Sequence, residues 1–348
     1  MCGRSIFAKS IPAVILLCAV GAVRGEERKP NADWWLVHPA HTSPKILEWA
    51  KSYPELVSLD SLKTFEGRTA YAVTVTDRGA EGPKRAILFS QPHAHEPAAT
   101  AGMMDFLSQL LDGKHLDGRP TDLDREKILA GFVLSFIPDG NPDGRARAPE
   151  DWWDGKQYSN DAFLKIAFGR EADGRRCKRV GRFTVAERPA ATIGIVYERI
   201  NDDEYVEPNR DVESTYFKLV QRTLAKRDYA LMVDIHQTEF SNSEWNAMVV
   251  LPFMQKELPE PIQAENRRVG EAVVAAWRKI GAEPLDKLNP LGYREDQLQY
   301  FRRCWSDIYT KTPSLIIEVQ NNNVRTPPSE QLAHVATSIR ASIEAMAD

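Results

Sequence analysis

Three stretches of this sequence carry side chains that can ligate a metal ion, and each stands at the end of, or within, a run that reads as a strand. Ala86 to Phe89 leads into Gln91-Pro92-His93-Ala94-His95-Glu96, Leu231 to Ile235 leads into His236-Gln237-Thr238-Glu239, and Leu315 to Val319 contains Glu318. Open α/β sheets collect their sites at strand ends, so His93, Glu96 and His236 can converge on one ion. Two imidazoles and a carboxylate with an open fourth position make a catalytic zinc set. His93 and Glu96 alone are weak evidence, since two solvated residues on a turn give the same HxxE spacing. His95 competes with His93 as a ligand, but it adjoins Glu96 and is expected to point elsewhere. His236 alone reads equally as a satisfied histidine at a strand end. Glu318 is harder to dismiss, because an ionised carboxylate in an apolar strand is costly without partners or a task.

The elements that must position these residues alternate along the chain. Ala70 to Val75, Ala86 to Phe89, Phe132 to Ile137, Leu231 to Ile235 and Leu315 to Val319 read as strands, the later ones apolar enough to be buried on both faces. Between and around them, Ser43 to Ala50, Pro97 to Leu111, Val212 to Lys226, Ala264 to Ile280 and Gln331 to Met346 carry helical spacing. Strands alternating with helices predict an α/β domain, a mixed, largely parallel sheet flanked by helices. Residues 149–205 break the rhythm; they are rich in Gly, Asp, Arg and aromatics, with one short helix expected at Ala162 to Phe168. A loop of that length is uncommon and often functional. This one reads as an insertion that either roofs the cleft or merely covers the surface.

Arg4 and Lys9 precede an apolar run from Ile11 to Val23 and small residues up to Gly25, which predicts a signal peptide over 1–25 and an exported, secreted or periplasmic, protein. Residues 26–42 read as a surface arm and 43–348 as the catalytic domain. The apolar run is too short for a comfortable membrane span, so none is expected in the mature chain. A net charge of −4 without a basic stripe gives nucleic acid little hold. Of four cysteines, Cys177 and Cys304 remain after cleavage, either as one bridge or as two ordinary thiols.

Taken in order, the motifs resemble the zinc carboxypeptidases, the carboxypeptidase A-like metallopeptidases. His93-Ala94-His95-Glu96 is similar to their HxxE ligand pair, Asn141-Pro142-Asp143-Gly144 to their NPDG loop, and Asn209-Arg210 to the pair that grips a substrate's terminal carboxylate. His236 after Asp234-Ile235 matches the third ligand, and Glu318 in Ile316-Ile317-Glu318-Val319 the catalytic carboxylate. The resemblance spans about residues 43–346. It implies a carboxypeptidase-like α/β/α fold, a Zn2+ cofactor, Glu318 as general base, and a peptide substrate with a free C-terminal carboxylate.

The same resemblance implies finer roles. Glu207 stands where the family has an Asp that orients the first zinc histidine. Tyr300 is the candidate for the tyrosine that caps the substrate, with Tyr293 as its rival. An arginine between the NPDG loop and Asn209 stabilises the oxyanion; Arg145, Arg147, Arg170 and Arg175 are available, and the reading leans to Arg147. Ser306, small and uncharged beside Asp307, implies a neutral side-chain preference. A zinc deacylase or amidohydrolase of the same fold, acting on acylated amino acids or peptidoglycan stem peptides, is the alternative. It would share the metal set and Glu318, whereas the NPDG loop and Asn209-Arg210 favour the peptidase.

Overall fold

A computed structural model describes residues 32–188, 192–239, 244–288 and 292–347. The expected signal peptide, and residues 26–31 of the expected arm, lie outside the described residues. Strands β1 (Val57–Lys63), β2 (Thr69–Val75), β3 (Arg85–Ser90), β4 (Phe132–Ile137), β5 (Leu231–Thr238), β6 (Ala247–Val250) and β7 (Ser314–Gln320) form one sheet in the order β1-β2-β4-β3-β5-β7-β6. Strands β4, β3, β5 and β7 run parallel at its centre, while the β1–β2, β2–β4 and β7–β6 pairs are antiparallel. This is the mixed, largely parallel sheet that the alternation of elements predicts.

The pleat divides each central strand between two cores. Ile87 and Phe89, Leu134 and Phe136, Leu231, Val233 and Ile235, and Leu315, Ile317 and Val319 face one side. There they meet α1 (Pro39–Ser52), α2 (Pro97–Asp112), and two further helices, Glu260–Lys279 and Pro328–Ala347. Ala86, Leu88, Val133, Ile137 and Met232 face the other side, against the helices Thr215–Leu224 and Glu295–Tyr309. In chain order after α2 these four are α3 (Thr215–Leu224), α4 (Glu260–Lys279), α5 (Glu295–Tyr309) and α6 (Pro328–Ala347).

Several boundaries differ from expectation. Helix α1 starts at Pro39 rather than Ser43, because His38 caps it, its Nδ1 accepting from Ala40 N at 3.2 Å; the arm therefore gives way to helix before residue 42. Strands β1 and β6 and helix α5 add to the expected set. No described helix is long and apolar enough to cross a membrane. Cys177 and Cys304 are both free and buried, which decides for two thiols.

Residues 149–205 hold the helix Asn160–Phe168, slightly longer than the expected one, and short strands that include Arg182–Thr184 paired with Glu204–Val206. The NPDG loop fastens this excursion to the sheet. Asn141 caps the turn after β4 by accepting from Gly144 N at 2.9 Å, and its Nδ2 donates to the Val196 carbonyl at 2.8 Å. A Cβ on Gly144 would stand 2.0 Å from the Ile195 carbonyl oxygen, so only glycine permits this approach.

Helices α2 and α6 cross at Gly102, where an added Cβ would lie 2.3 Å from Val335 Cγ1. Overpacking at such a crossing costs about 1–3 kcal/mol, whereas replacing glycine in a helix gains at most ~1 kcal/mol. Sterics should win. Gly102→Leu is expected to lower the urea-unfolding free energy by about 2 kcal/mol, and an unchanged midpoint would contradict this packing.

Candidate functional site

The turn after β3 is built to bring two side chains together. Glu96 N donates to the His93 carbonyl at 3.0 Å, closing the turn, and Gln91 Nε2 braces it through the carbonyl of Glu96 at 3.0 Å. Pro97 then opens α2, where its missing N–H costs nothing. His93 Nδ1 therefore lies 2.9 Å from Glu96 Oε1. His236 reaches the same place from β5: its Nδ1 is 3.0 Å from Glu96 Oε2 and 3.1 Å from His93 Nδ1.

The far side of each imidazole is held by a carboxylate. His93 Nε2 lies 2.7 Å from Glu207 Oε1, and His236 Nε2 lies 2.9 Å from Asp234 Oδ2. Asp234 is itself fixed by Tyr216 Oη at 2.7 Å and Ser90 Oγ at 3.0 Å. Each ring thus presents Nε2–H outward to its partner and the Nδ1 lone pair inward, the arrangement of a metal-ligating histidine. Burial opposes charge on His236, yet Asp234 and Glu96 outweigh it and raise its pKa well above the ordinary value. Burial likewise pushes Glu96 upward, but His93, His236 and His95 hold it well below the usual carboxylate range. Inward-facing lone pairs around a carboxylate call for positive charge at their centre. Protons on the imidazoles supply it in one state, and a divalent cation fits the same donors in another.

His93, His95 and Glu96 also bring ligand atoms within 4.8 Å of one another. His236 is the better-placed third donor, because His95 Nε2 stands farther off, 3.3 Å from Glu96 Oε1, and its ring packs edge-on against Phe168. Burial lowers the His95 pKa to about 3, which keeps that ring neutral.

Glu318 stands beside His236 by strand register, the two being directly paired residues of β5 and β7. The pleat that sends Ile235 and Ile317 into the core turns His236 and Glu318 to the opposite face. Helices α3 and α5 cover that face only toward its start, and its end opens into a cavity of about 620 Å³. Burial raises the Glu318 carboxyl to about 8; His236 opposes the rise and Glu96 adds to it. Its Oε2 is buried without a hydrogen-bond partner among the described residues.

Asn209 and Arg210 line the same cavity, and Asn209 Oδ1 is also buried without such a partner. Arg210 donates from Nε to Gln297 Oε1 at 2.8 Å and lies over the Phe301 ring, 4.8 Å from its centre. The insertion forms one wall, contributing Phe168, Arg176, Lys178 and Arg179. It therefore shapes the cleft and does more than cover the surface.

Three finer expectations change. Arg147 points away, bonding Glu66 at 2.9 Å and the Tyr197 carbonyl at 2.7 Å, and Arg145, Arg170 and Arg175 also do not line the cavity. Arg179 does, with Nη2 3.1 Å from His93 Nε2 and its guanidinium 4.8 Å from the Phe168 ring centre. Spacing alone could not pick it from the basic run Arg175 to Arg179; its ion pair with Glu207 does. Tyr300 sits on α5 against Gly181, outside the cavity, and the rival Tyr293 lines it. Ser306 likewise lies on α5 away from the cavity, whose apolar end is made by Leu251, Phe253, Phe301, Tyr309 and Ile316.

The sequence pattern of the zinc carboxypeptidase family matches residues 45–283, a span that holds His93, Glu96, Asn209, Arg210 and His236 and stops short of Glu318. Comparison with curated proteins gives no match. Among solved structures, a metallo-carboxypeptidase from Burkholderia cenocepacia is similar in fold, with a TM-score of 0.57 at 15% identity over 88% of this chain and 68% of that one. Carboxypeptidase A from Helicoverpa armigera has a TM-score of 0.54 at 14% identity over 91% and 76% of the two chains. A Pseudomonas aeruginosa metallo-carboxypeptidase, in complex with (2-guanidinoethylmercapto)succinic acid, has a TM-score of 0.52 at 14% identity over 87% and 67%.

Because the metal-free site favours a protonated His236, zinc binding is expected to displace protons, and its apparent affinity should rise with pH. Calorimetric titration at pH near 7 in two buffers of different ionisation enthalpy should give different apparent enthalpies. Equal enthalpies would show that no proton is exchanged.

Proposed function

The chain belongs to the zinc carboxypeptidase family, and on that premise we propose that it is a metallocarboxypeptidase, releasing C-terminal residues from peptides. One observation carries this reading: Asn209 and Arg210 open into the same cavity as the His93–Glu96–His236 cluster and Glu318. A planar guanidinium can take a terminal carboxylate through two parallel hydrogen bonds, and Asn209 can add a third. Anchoring the chain end there leaves the last peptide bond to reach the donors at the strand ends.

His93, Glu96 and His236 would hold Zn2+. When bound, zinc supplies a polarised carbonyl and a water of lowered pKa. Glu318, directly beside His236 and lining the same cavity, can in its ionised form take a proton from water and return it to the leaving amine. Arg179, the cavity-facing arginine between the NPDG loop and Asn209, is placed to meet negative charge developing on the carbonyl oxygen. Tyr293 replaces Tyr300 as the candidate for closing over the substrate.

The side chain of the terminal residue would enter the end lined by Phe253, Phe301 and Ile316, beyond Arg210. Those residues are apolar, so an apolar preference takes the place of the neutral one read from Ser306, which lies outside the cavity. Export remains part of this proposal, resting on the basic, apolar and small-residue sequence before Glu26.

Two outcomes are expected. Glu318→Gln should bind zinc as the wild type does and lose about 10²–10⁴-fold in kcat/KM; retention of activity would remove Glu318 from the mechanism. A digest of mixed peptides read by mass spectrometry should show C-terminal ladders, faster from Phe or Leu than from Lys or Glu. C-terminal amides should resist, and their efficient cleavage would point to an endopeptidase or amidohydrolase.

A further inference from the structure

Glu207 sits where the metal-binding and carboxylate-binding ends of the cavity meet, and one of its oxygens serves both. His93 Nε2 lies 2.7 Å from Oε1, and Arg179 Nη2 and Arg210 Nη1 each reach the same atom at 2.5 Å. The carboxylate is fully buried. Among the described residues it is the one carboxylate in ion-pair contact with either guanidinium. Two guanidiniums this close repel, so something must hold them on one centre. The aromatic faces beneath them, Phe168 for Arg179 and Phe301 for Arg210, fix their planes but supply no counter-charge.

We infer that Glu207 is a positioning residue for both ends of the site at once, orienting His93 toward the metal and clamping Arg179 and Arg210 in the spacing that receives the substrate's anionic groups. The inference rests on the carboxypeptidase reading above. Its new content is the shared oxygen: a carboxylate that served only the histidine would leave the arginines to find their own geometry. Removing its charge has two opposed effects on a bound carboxylate. The arginines become less neutralised, which strengthens attraction, and they lose their anchor, which destroys the paired geometry. Two-pronged recognition depends on placement, and two unanchored guanidiniums separate, so loss of placement dominates.

The test is calorimetric and needs no turnover. Zinc binding is measured with the metal-free protein. Carboxylate binding is measured, also without metal, with N-acetyl-phenylalanine against its amide, so that a loss cannot be routed through a weakened metal site. The wild type should bind zinc and prefer the acid; failure of either would sink the carboxypeptidase reading, whatever Glu207 does. Glu207→Gln should lose about 10–100-fold in zinc affinity and about tenfold or more in affinity for the acid. Weakened zinc binding with acid affinity equal to or tighter than the wild type overturns the inference. Glu207→Asp keeps the charge but withdraws it by one methylene, and it guards against a Gln variant that does not fold. It should lose part of both affinities, and wild-type values for both would show that charge without placement suffices, which also overturns it.

Discussion

Two imidazoles and several carboxylates, buried within hydrogen-bonding reach of one another, are stable only if positive charge lies among them. That constraint organises the end of the sheet. Glu96 faces inward between His93 and His236, and Glu207 and Asp234 close the far side of each ring. Every one of these groups is nearly inaccessible to water, so solvent cannot substitute for a missing partner. The surrounding structure serves to keep these groups in place: Ser90 and Tyr216 on Asp234, Gln91 across the turn, and Gln237 accepting from Ala98 N at 2.7 Å, which ties β5 to the start of α2.

The pleat explains how such polar groups coexist with a dry core. In β5 and β7 alternate residues, Val233 and Ile235 or Ile317 and Val319, enter one hydrophobic layer, while Asp234, His236 and Glu318 take the other face. A register slip of one residue would reverse both sets and place the carboxylates in the apolar layer. The apolar runs that bury the sheet therefore also fix the placement of His236 beside Glu318. Fold stability and site geometry share one register.

The central strands, α2, α4 and α6, and the cluster of His93, Glu96, His236 and Glu318 were legible because each rests on local pattern: apolar runs, helical spacing and polar residues at run ends. Strand β1 was missed because Val57-Ser58-Leu59-Asp60 alternates at an exposed edge without the apolar density of the central strands. Helix α5 was missed although Phe301, Cys304, Trp305 and Ile308 follow helical spacing, since its many charged residues hid the stripe that packs in the second core. Arg179 was beyond reach, and Tyr293 could not be chosen over Tyr300, for a different reason. Arg179 is placed by its ion pair with Glu207, distant in sequence, and Tyr293 by packing on Phe301, while several chemically equivalent arginines and a second tyrosine lay near each.

The cavity thus joins two kinds of construction. Its histidine end comes from strand termini with little freedom, and its opposite wall comes from an irregular excursion held by Asn141 at one point and by the Arg179–Glu207 pair at another. The wall also sets the local field. The chain carries a net charge of −4, yet Arg176, Lys178, Arg179, Arg210 and Arg294 all border one opening. Much of the acidity there is committed: Glu96 and Asp234 to the histidines, Glu207 to His93 and the buried arginines. Low-dielectric walls focus what positive potential remains toward the entrance. This opening is therefore electropositive although the chain as a whole is acidic, and within it Arg210 is held by Glu207, Gln297 and Phe301. Attraction at the rim and rigidity within are separate properties. The first comes from the excursion, and the second from a buried carboxylate together with Gln297 and Phe301.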